Sequence, residues 1–564
     1  MTMPTHRCLL TSAAAILLAA AALASPPHPP SRAAQAQQAL IAALRRHVRH
    51  VFVIYQENRS FDEYFGTFPG VDGLYTAQAR SHGFRQWDPI GKQWVTPFPI
   101  TAPDTGDPGH SRPALIAKSD HGRMDDFVAA EEKAHAKNPK VAHDLGLLTM
   151  GYEDCRTIPY LWLYAHRFTL FDHFFQGMYG PSTPGNIDLI AAQTGETQWA
   201  RNPQEAFHSA SGRGEPVIND TEPAFGPYEH GSPKTTQYDQ TYATLMLTLL
   251  GRKAVLARRD NQGVRRDIAT LQHDDHAPVP WGWYQEGFGN GTDINAKAYI
   301  SHHNSPQYFG YIRENAPLWS GEHDLLDFFS MLKAGKLPPR SVSIVKGGRD
   351  NPFGWKPADR NPYVQSHYLG DDDHAGYSDV QLSEALVAKV VNAVAASPYW
   401  NSSVILITWD DEGGYFDHVP PPQFEKCPDG NPCGDGPRIP LLLISPYARS
   451  GGVAHAQSDH ASFAKFVDVL FNLPPLASLP DEKPWLPRGP HDLNPAIGNL
   501  VSGFSAARLE GQEAPLAAAS AEIPAADVGT FPPPLTCSDI GVQPVALPGA
   551  VAHPPAGFNP LPGH

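Results

Sequence analysis

Basic residues are in short supply: 43 lysines and arginines stand against 58 acids in 564 residues, a formal net charge of −15. A nucleic-acid surface needs clustered cations to displace phosphate counterions, and none are clustered here, so no nucleic-acid partner is expected. Local charge can still hold a small anion. Long apolar runs are also missing. No stretch reaches the roughly 18 apolar residues that span a bilayer, so no stable membrane anchor is expected. Cysteine is sparse, five in all, with no Cys-x-x-Cys pair, and no His-Glu-x-x-His motif offers zinc. Neither a phosphate-binding loop nor a dinucleotide fingerprint occurs, and no Gly-x-Ser-x-Gly elbow sits between a strand and a helix. Nucleotide-dependent, zinc-protease and Ser-His-Asp hydrolase readings lose their support. No internal repeat is present, and no pattern specifies an oligomeric state.

What is present begins with an export leader. Arg7 supplies the positive region, Leu9 to Ala21 the apolar stretch, and Ala22-Leu23-Ala24 a small-residue cleavage pattern, assigning residues 1–24 as a signal peptide. A secreted or periplasmic protein follows, and its cysteines can then oxidise. Cys427 and Cys433 flank a turn-rich loop and can close a small disulfide; Cys155 and Cys537 can pair only if the C-terminus folds back. Residues 25–47 read as a linker and lead-in, 48–502 as the catalytic body, and 503–564 as a Pro/Ala-rich tail with no separate β-domain.

Apolar, β-branched runs mark five strands: residues 50–55, 168–171, 341–345, 404–407 and 441–444. Helical spacing intervenes, as in Leu382, Leu386, Val387, Val390, Val391 and Val394 behind a capping Asp379. This alternation predicts an α/β fold, a doubly wound, mostly parallel sheet flanked by helices, with long Pro/Gly-rich loop insertions.

Two of the predicted strands run directly into acidic segments, Gln56-Glu57-Asn58-Arg59 and Trp409-Asp410-Asp411-Glu412. In open α/β sheets ligands bind beyond the strand carboxyl ends. Carboxylates gathered there are costly unless a cation neutralises them, which predicts one divalent metal ion. Oxygen ligands suit calcium, magnesium or manganese and also accept zinc or iron. Gly180-Pro181-Ser182-Thr183-Pro184 opens a helical pattern, so Ser182 falls at a helix N-terminus, either as a cap or as a metal-activated nucleophile. Histidines at 110, 302, 303, 374 and 418 are candidates for phosphoryl binding and proton transfer. The run Asp371-Asp372-Asp373 lacks calcium-loop spacing and reads as a solvated loop.

Taken together, Glu57 to Asp62, Asp107-Pro108-Gly109-His110, Gly180-Pro181-Ser182-x-Pro184, His302-His303-Asn304, Asp372-Asp373-His374 and Trp409 to His418 resemble, in order, a bacterial phosphoesterase family. That family joins phosphatidylcholine-type phospholipases C to the AcpA-type acid phosphatases. The resemblance implies an alkaline-phosphatase-like core and hydrolysis of phosphate esters through a covalent phospho-enzyme. It implies Glu57, Asn58, Asp410, Asp411 and Ser182 as metal ligands, Ser182 as nucleophile, and His110, His302, His303 and His374 as phosphate-binding and acid/base residues. His374 is the expected donor to the leaving group. Phospholipase-like members usually carry threonine where Ser182 stands, and the family often reads Pro-Asn-Arg where this chain has Pro184-Gly185-Asn186. The missing arginine, with the lack of the C-terminal β-domains seen on larger phospholipase C members, points to an acid-phosphatase-like enzyme of broad specificity for phosphate monoesters, with phospholipid head groups as the alternative substrate. A sulfatase-like site is disfavoured, because no arginine follows Ser182 in the required place.

Overall fold

The computed structural model describes residues 32–205, 215–224, 238–254, 263–289, 291, 293–313 and 315–564; the leader assigned to residues 1–24 lies outside them. The chain enters through helix α1 (Arg32–His47) into strand β1 (His50–Gln56) and a short helix α2 (Phe61–Phe65). Strand β2 (Thr169–Phe171) precedes helix α3 (Ser182–Ala191), and strands β3 (Trp281–Gln285), β4 (Glu322–Asp324) and β5 (Ser341–Lys346) follow. Helix α4 (Val380–Ala395), strands β6 (Ser403–Trp409), β7 (Leu441–Ile444) and β8 (Gly452–Ala454) and helix α5 (Ala461–Phe471) complete the frame.

The eight strands form one sheet in the order β8-β2-β7-β6-β1-β5-β3-β4. Only β7 runs against its neighbours. The class is the expected α/β one. Central strands β1 and β6 are buried at every position, which a two-face-covered parallel sheet requires of an unbroken Val/Ile/Leu/Phe run. Helix α4 starts where expected, its Asp379 carboxylate accepting from the Gln381 and Leu382 amides at 2.7 and 3.1 Å. Strands β3, β4 and β8 were not legible. Two are three residues long and β3 contains a glycine, so pairing with neighbours, not local pattern, makes them strands.

Register places the site. Strands β1 and β6 pair in parallel from His50↔Ser403 to Gln56↔Trp409, so Glu57 and Asp410 leave the sheet side by side. On the other flank β5 pairs Ile54 with Val345, bringing Lys346 to the same edge.

Residues 503–564 carry short helical turns and lie against the body. Their anchors are the Cys155–Cys537 disulfide, Val545 N–H donating to the Thr67 carbonyl (2.8 Å), and the Pro560 carbonyl accepting from Gly106 N–H (2.7 Å). Cys427 and Cys433 form the second disulfide.

Candidate active site and metal centre

Three chain segments interlock at the carboxyl edge. The amide of Asp410 donates to Gln56 O at 3.2 Å, Arg59 N–H to Asp411 O at 2.9 Å, and Glu57 N–H to Asp372 O at 2.7 Å. Asn58 takes the left-handed conformation (φ 57°), which asparagine tolerates better than most residues and which turns its amide inward. Helix α3 approaches from the side. Gly185 allows that approach, because a Cβ there would run into the Asp410 carbonyl.

Ser182, at the start of α3, is the centre of the cluster. Its Oγ lies 3.0 Å from Glu57 Oε2, 3.3 Å from Asn58 Oδ1 and 3.3 Å from Asp411 Oδ2. Asp410 Oδ2 accepts from Asn186 Nδ2 at 3.0 Å, and that amide also caps the Ser182 carbonyl at 2.8 Å. All of these side chains are buried. One hydroxyl proton cannot serve three acceptors, so the donor set fits a hard cation among these oxygens. The alternative orientation of the Asn58 amide fits the same idea. With its nitrogen toward the cluster it donates to Glu57 Oε2 (3.1 Å) and Asp410 Oδ1 (3.0 Å), and its oxygen faces His374 Nε2 (3.0 Å) and His110 Nε2 (3.2 Å). Oxygen inward suits a bound cation; nitrogen inward suits bare carboxylates.

Burial, and then the Asp410 charge, push the Glu57 carboxyl well above its usual range, and burial pushes Asp411 up as well. Lys346 opposes this. Its ammonium pairs with Glu57 and stands 3.7 Å from Asp410 Oδ2. Burial alone would lower the Lys346 pKa, but Glu57 and Asp410 more than offset that and hold the group charged. Asn186, Asp372 and Lys346 are site residues that sequence reading missed. Lys346 directly follows the predicted strand 341–345, but nothing in its spacing marks it.

His110 and His374 each fix Nδ1 on a backbone carbonyl, Pro108 O at 2.9 Å and Ala375 O at 2.5 Å, which turns both Nε2 atoms toward Asn58. Their rings meet edge to face at 5.5 Å. Burial would lower His110, but Asp411 and Asp107 raise it to about 10, so it is a cation at neutral pH. Burial and then the His110 charge lower His374 well below the ordinary histidine range. His303 Nδ1 sits 3.0 Å from Glu57 Oε1, outside hydrogen-bond geometry, and is likewise lowered by burial and then by His302. His302 reaches the cluster only through the His303 ring, at 4.4 Å, and faces Glu222 at 3.6 Å.

Two expectations need correction. Asp371, Asp372 and Asp373 are not a solvated loop; all three are at most 1% exposed. Asp372 accepts from Ser378 Oγ (2.6 Å) and Tyr377 Oη (2.8 Å), and Asp373 from Trp409 Nε1 (2.7 Å) and Tyr64 Oη (2.8 Å). A charge run is solvated by default only when no donors await it, and here four do. His418, in turn, stands apart from Ser182. It bonds Asp62 (2.6 Å) and Asp72 (3.3 Å) in a buried group with Arg438, whose guanidinium holds Asp62 at 2.9 Å and Asp417 at 3.0 Å.

That group carries a pH prediction. Burial lowers His418, but Asp62 and then Asp72 raise it to about 9, with Arg438 opposing. A raised histidine contributes stability that is complete below its unfolded pKa of about 6.5 and lost as pH rises through 9. The change amounts to about 3 kcal/mol. Urea unfolding at pH 6 and pH 9.5 should show it in the native chain, and His418→Gln should flatten it. An unchanged slope in the variant refutes the assignment.

Lys346 carries another. Lys346→Met leaves Glu57 buried without its partner, so the cation-free protein should lose about 3–5 kcal/mol. Supplying a divalent ion should restore most of that, read by unfolding with and without EDTA. Equal losses in both conditions would count against a cation at Glu57.

A mostly parallel α/β sheet whose strand ends gather oxygen ligands around one helix-borne serine defines the class. The chain belongs to the Phosphoesterase family, whose model matches residues 48–474. Similar curated proteins include the "Non-hemolytic phospholipase C" of Burkholderia pseudomallei (strain K96243), 25% identical over 499 residues, covering 83% of this chain and 60% of that protein. "Phospholipase C A" of Mycobacterium tuberculosis (strain CDC 1551 / Oshkosh) is 23% identical over 493 residues, covering 81% and 77%. The chain thus spans about 60% of the length of the first of these relatives. A solved protein in the alkaline phosphatase superfamily from Vibrio parahaemolyticus is similar at 10% identity and a TM-score of 0.28, covering 78% of this chain and 74% of that one. So distant a likeness adds nothing to the family assignment.

Proposed function

We propose that this chain hydrolyses phosphate esters through Ser182, with phosphate monoesters as the preferred substrates. The observation that carries the reading is the Ser182 hydroxyl surrounded by Glu57, Asn58 and Asp411 oxygens within 3.3 Å. Glu57, Asn58, Asp410, Asp411 and Ser182 would hold one divalent ion. Bound there, it would lower the serine pKa and offset negative charge on the phosphoryl oxygens. The chain's own groups do the rest. Ser182, its hydroxyl proton lost to solvent, attacks phosphorus in line through Oγ and the ester oxygen departs with a proton from His374; water, giving a proton back to His374, then displaces Oγ from the phosphoserine to release phosphate. His110, already cationic, binds a phosphoryl oxygen; an anionic substrate raises His374 until it can protonate the leaving oxygen. His303 stands on the Glu57 side as a further phosphate contact, with His302 packed behind its ring.

Asn186, after Pro184-Gly185 where the family often carries an arginine, is turned inward onto Asp410 and offers no positive charge to a substrate. The names of the relatives favour a second reading, a phospholipase C acting on phospholipid head groups. Turnover of p-nitrophenyl phosphate against p-nitrophenyl phosphorylcholine across pH separates the two, and a diester preference overturns the first. Export to the periplasm or beyond belongs to this reading, supported by two disulfides. No helix among the described residues is long and apolar enough to cross a membrane.

A further inference from the structure

A second group of carboxylates lies on the far side of helix α3. Asp188 is on that helix, six residues and about 9 Å of helix rise beyond Ser182. Asp435 follows the Cys427–Cys433 loop, and Asp459 closes a two-residue strand, Ser458–Asp459, just before helix α5. The three are at most 2% exposed. Four of their oxygens, Asp188 Oδ1, both of Asp435 and Asp459 Oδ2, have no hydrogen-bond partner. Asp459 Oδ1 accepts from Ser462 N–H at 3.0 Å and from Ser462 Oγ at 3.3 Å. Asp435 is the informative member. It is fully buried, neither of its oxygens accepts from a donor in hydrogen-bond geometry, and its carboxylate faces that of Asp459. Gly177 leaves the Asp188 carboxylate its room, because a Cβ there would collide with it. Among the described residues none of the three is in an ion pair; His491, which pairs with Glu425 at 3.8 Å, is the basic group whose charge acts most on Asp459.

Buried carboxylates facing each other without donors need a proton or a cation between them. Four free oxygens from three chain segments, with no nitrogen or sulfur donor among them, match the preference of a hard divalent ion. We propose that Asp188, Asp435 and Asp459 form a structural calcium site, separate from the cluster at Ser182. Burial, followed by the Asp459 charge, holds Asp188 and Asp435 well above the usual carboxylate range. The position explains a use. The site pins the helix that carries Ser182 to the segment carrying His460, which bonds the Trp409 carbonyl at 2.9 Å immediately before Asp410. Calcium would hold serine and ligands in register from behind.

The test uses the full chain, stripped with EDTA and re-equilibrated with calcium chloride. Asp410→Asn/Asp411→Asn, altered only at the first cluster, should still bind one calcium per chain and still show a calcium-dependent rise in Tm. Adding Asp435→Asn and Asp459→Asn should abolish both. Absence of binding and of the Tm shift in the first variant overturns the proposal, because shared protons then suffice. So does survival of both in the second. The first measurement leaves the three aspartates untouched, so it decides even if changing them blocks folding.

Discussion

Replacing Ser182 with alanine is expected to cut phosphate-ester turnover by about 10⁴-fold or more while leaving the fold intact. No neighbour can take its place. Thr183 is adjacent, but its Oγ1 is committed to Asp220 Oδ1 at 3.0 Å and does not face Glu57 or Asp411. The substitution removes one buried hydroxyl and no packing, so unfolding should shift by about 1 kcal/mol at most. Single-turnover assays with p-nitrophenyl phosphate, alongside circular dichroism, check both halves. A variant that keeps its rate would take the reaction away from Ser182, whose hydroxyl is no helix cap, since Pro181 holds the N-cap position and no side chain caps this helix.

The second large effect belongs to the strand end. Asp410→Asn/Asp411→Asn should lose bound metal at the Ser182 cluster and activity together, with turnover falling by at least about 10³-fold. Asparagine keeps the shape but removes two of the three carboxylate charges around Ser182, leaving Glu57 against Lys346. Metal analysis on protein purified without chelator should show one ion fewer per chain than the native protein. An undiminished metal content with lost activity would assign these aspartates to another role. His110 gives an independent readout, since Asp411 is the main charge raising it. Its NMR titration should therefore move down in the variant, and a metal ion bound to the native protein should move it the same way.

Much of this site was legible because its parts sit at strand ends. A β-branched apolar run such as Val51-Phe52-Val53-Ile54 reads as a doubly buried strand, and in a parallel sheet whatever follows it emerges at the ligand edge. That made Glu57, Asn58, Asp410 and Asp411 readable. Lys346 was missed because a lone lysine after a strand has no distinguishing spacing; its meaning comes from pairing with β1, whose register points it at Glu57. Asp371 to Asp373 misled for a related reason. Three acids in a row look solvated, and only the fold supplies Ser378, Tyr377, Trp409 and Tyr64 as donors.

By itself, then, the sequence determined the α/β class, the central strands, the acidic strand ends and the serine at a helix start, because each depends on local periodicity or composition. Tertiary structure alone decided which charges meet. The buried pairing of Lys346 with Glu57, the meeting of the His110 and His374 rings beside Asn58, and the orphaned oxygens of Asp188, Asp435 and Asp459 all join segments dozens to hundreds of residues apart. Charge interactions act through distance and desolvation, and neither is written in the spacing of residues along a chain.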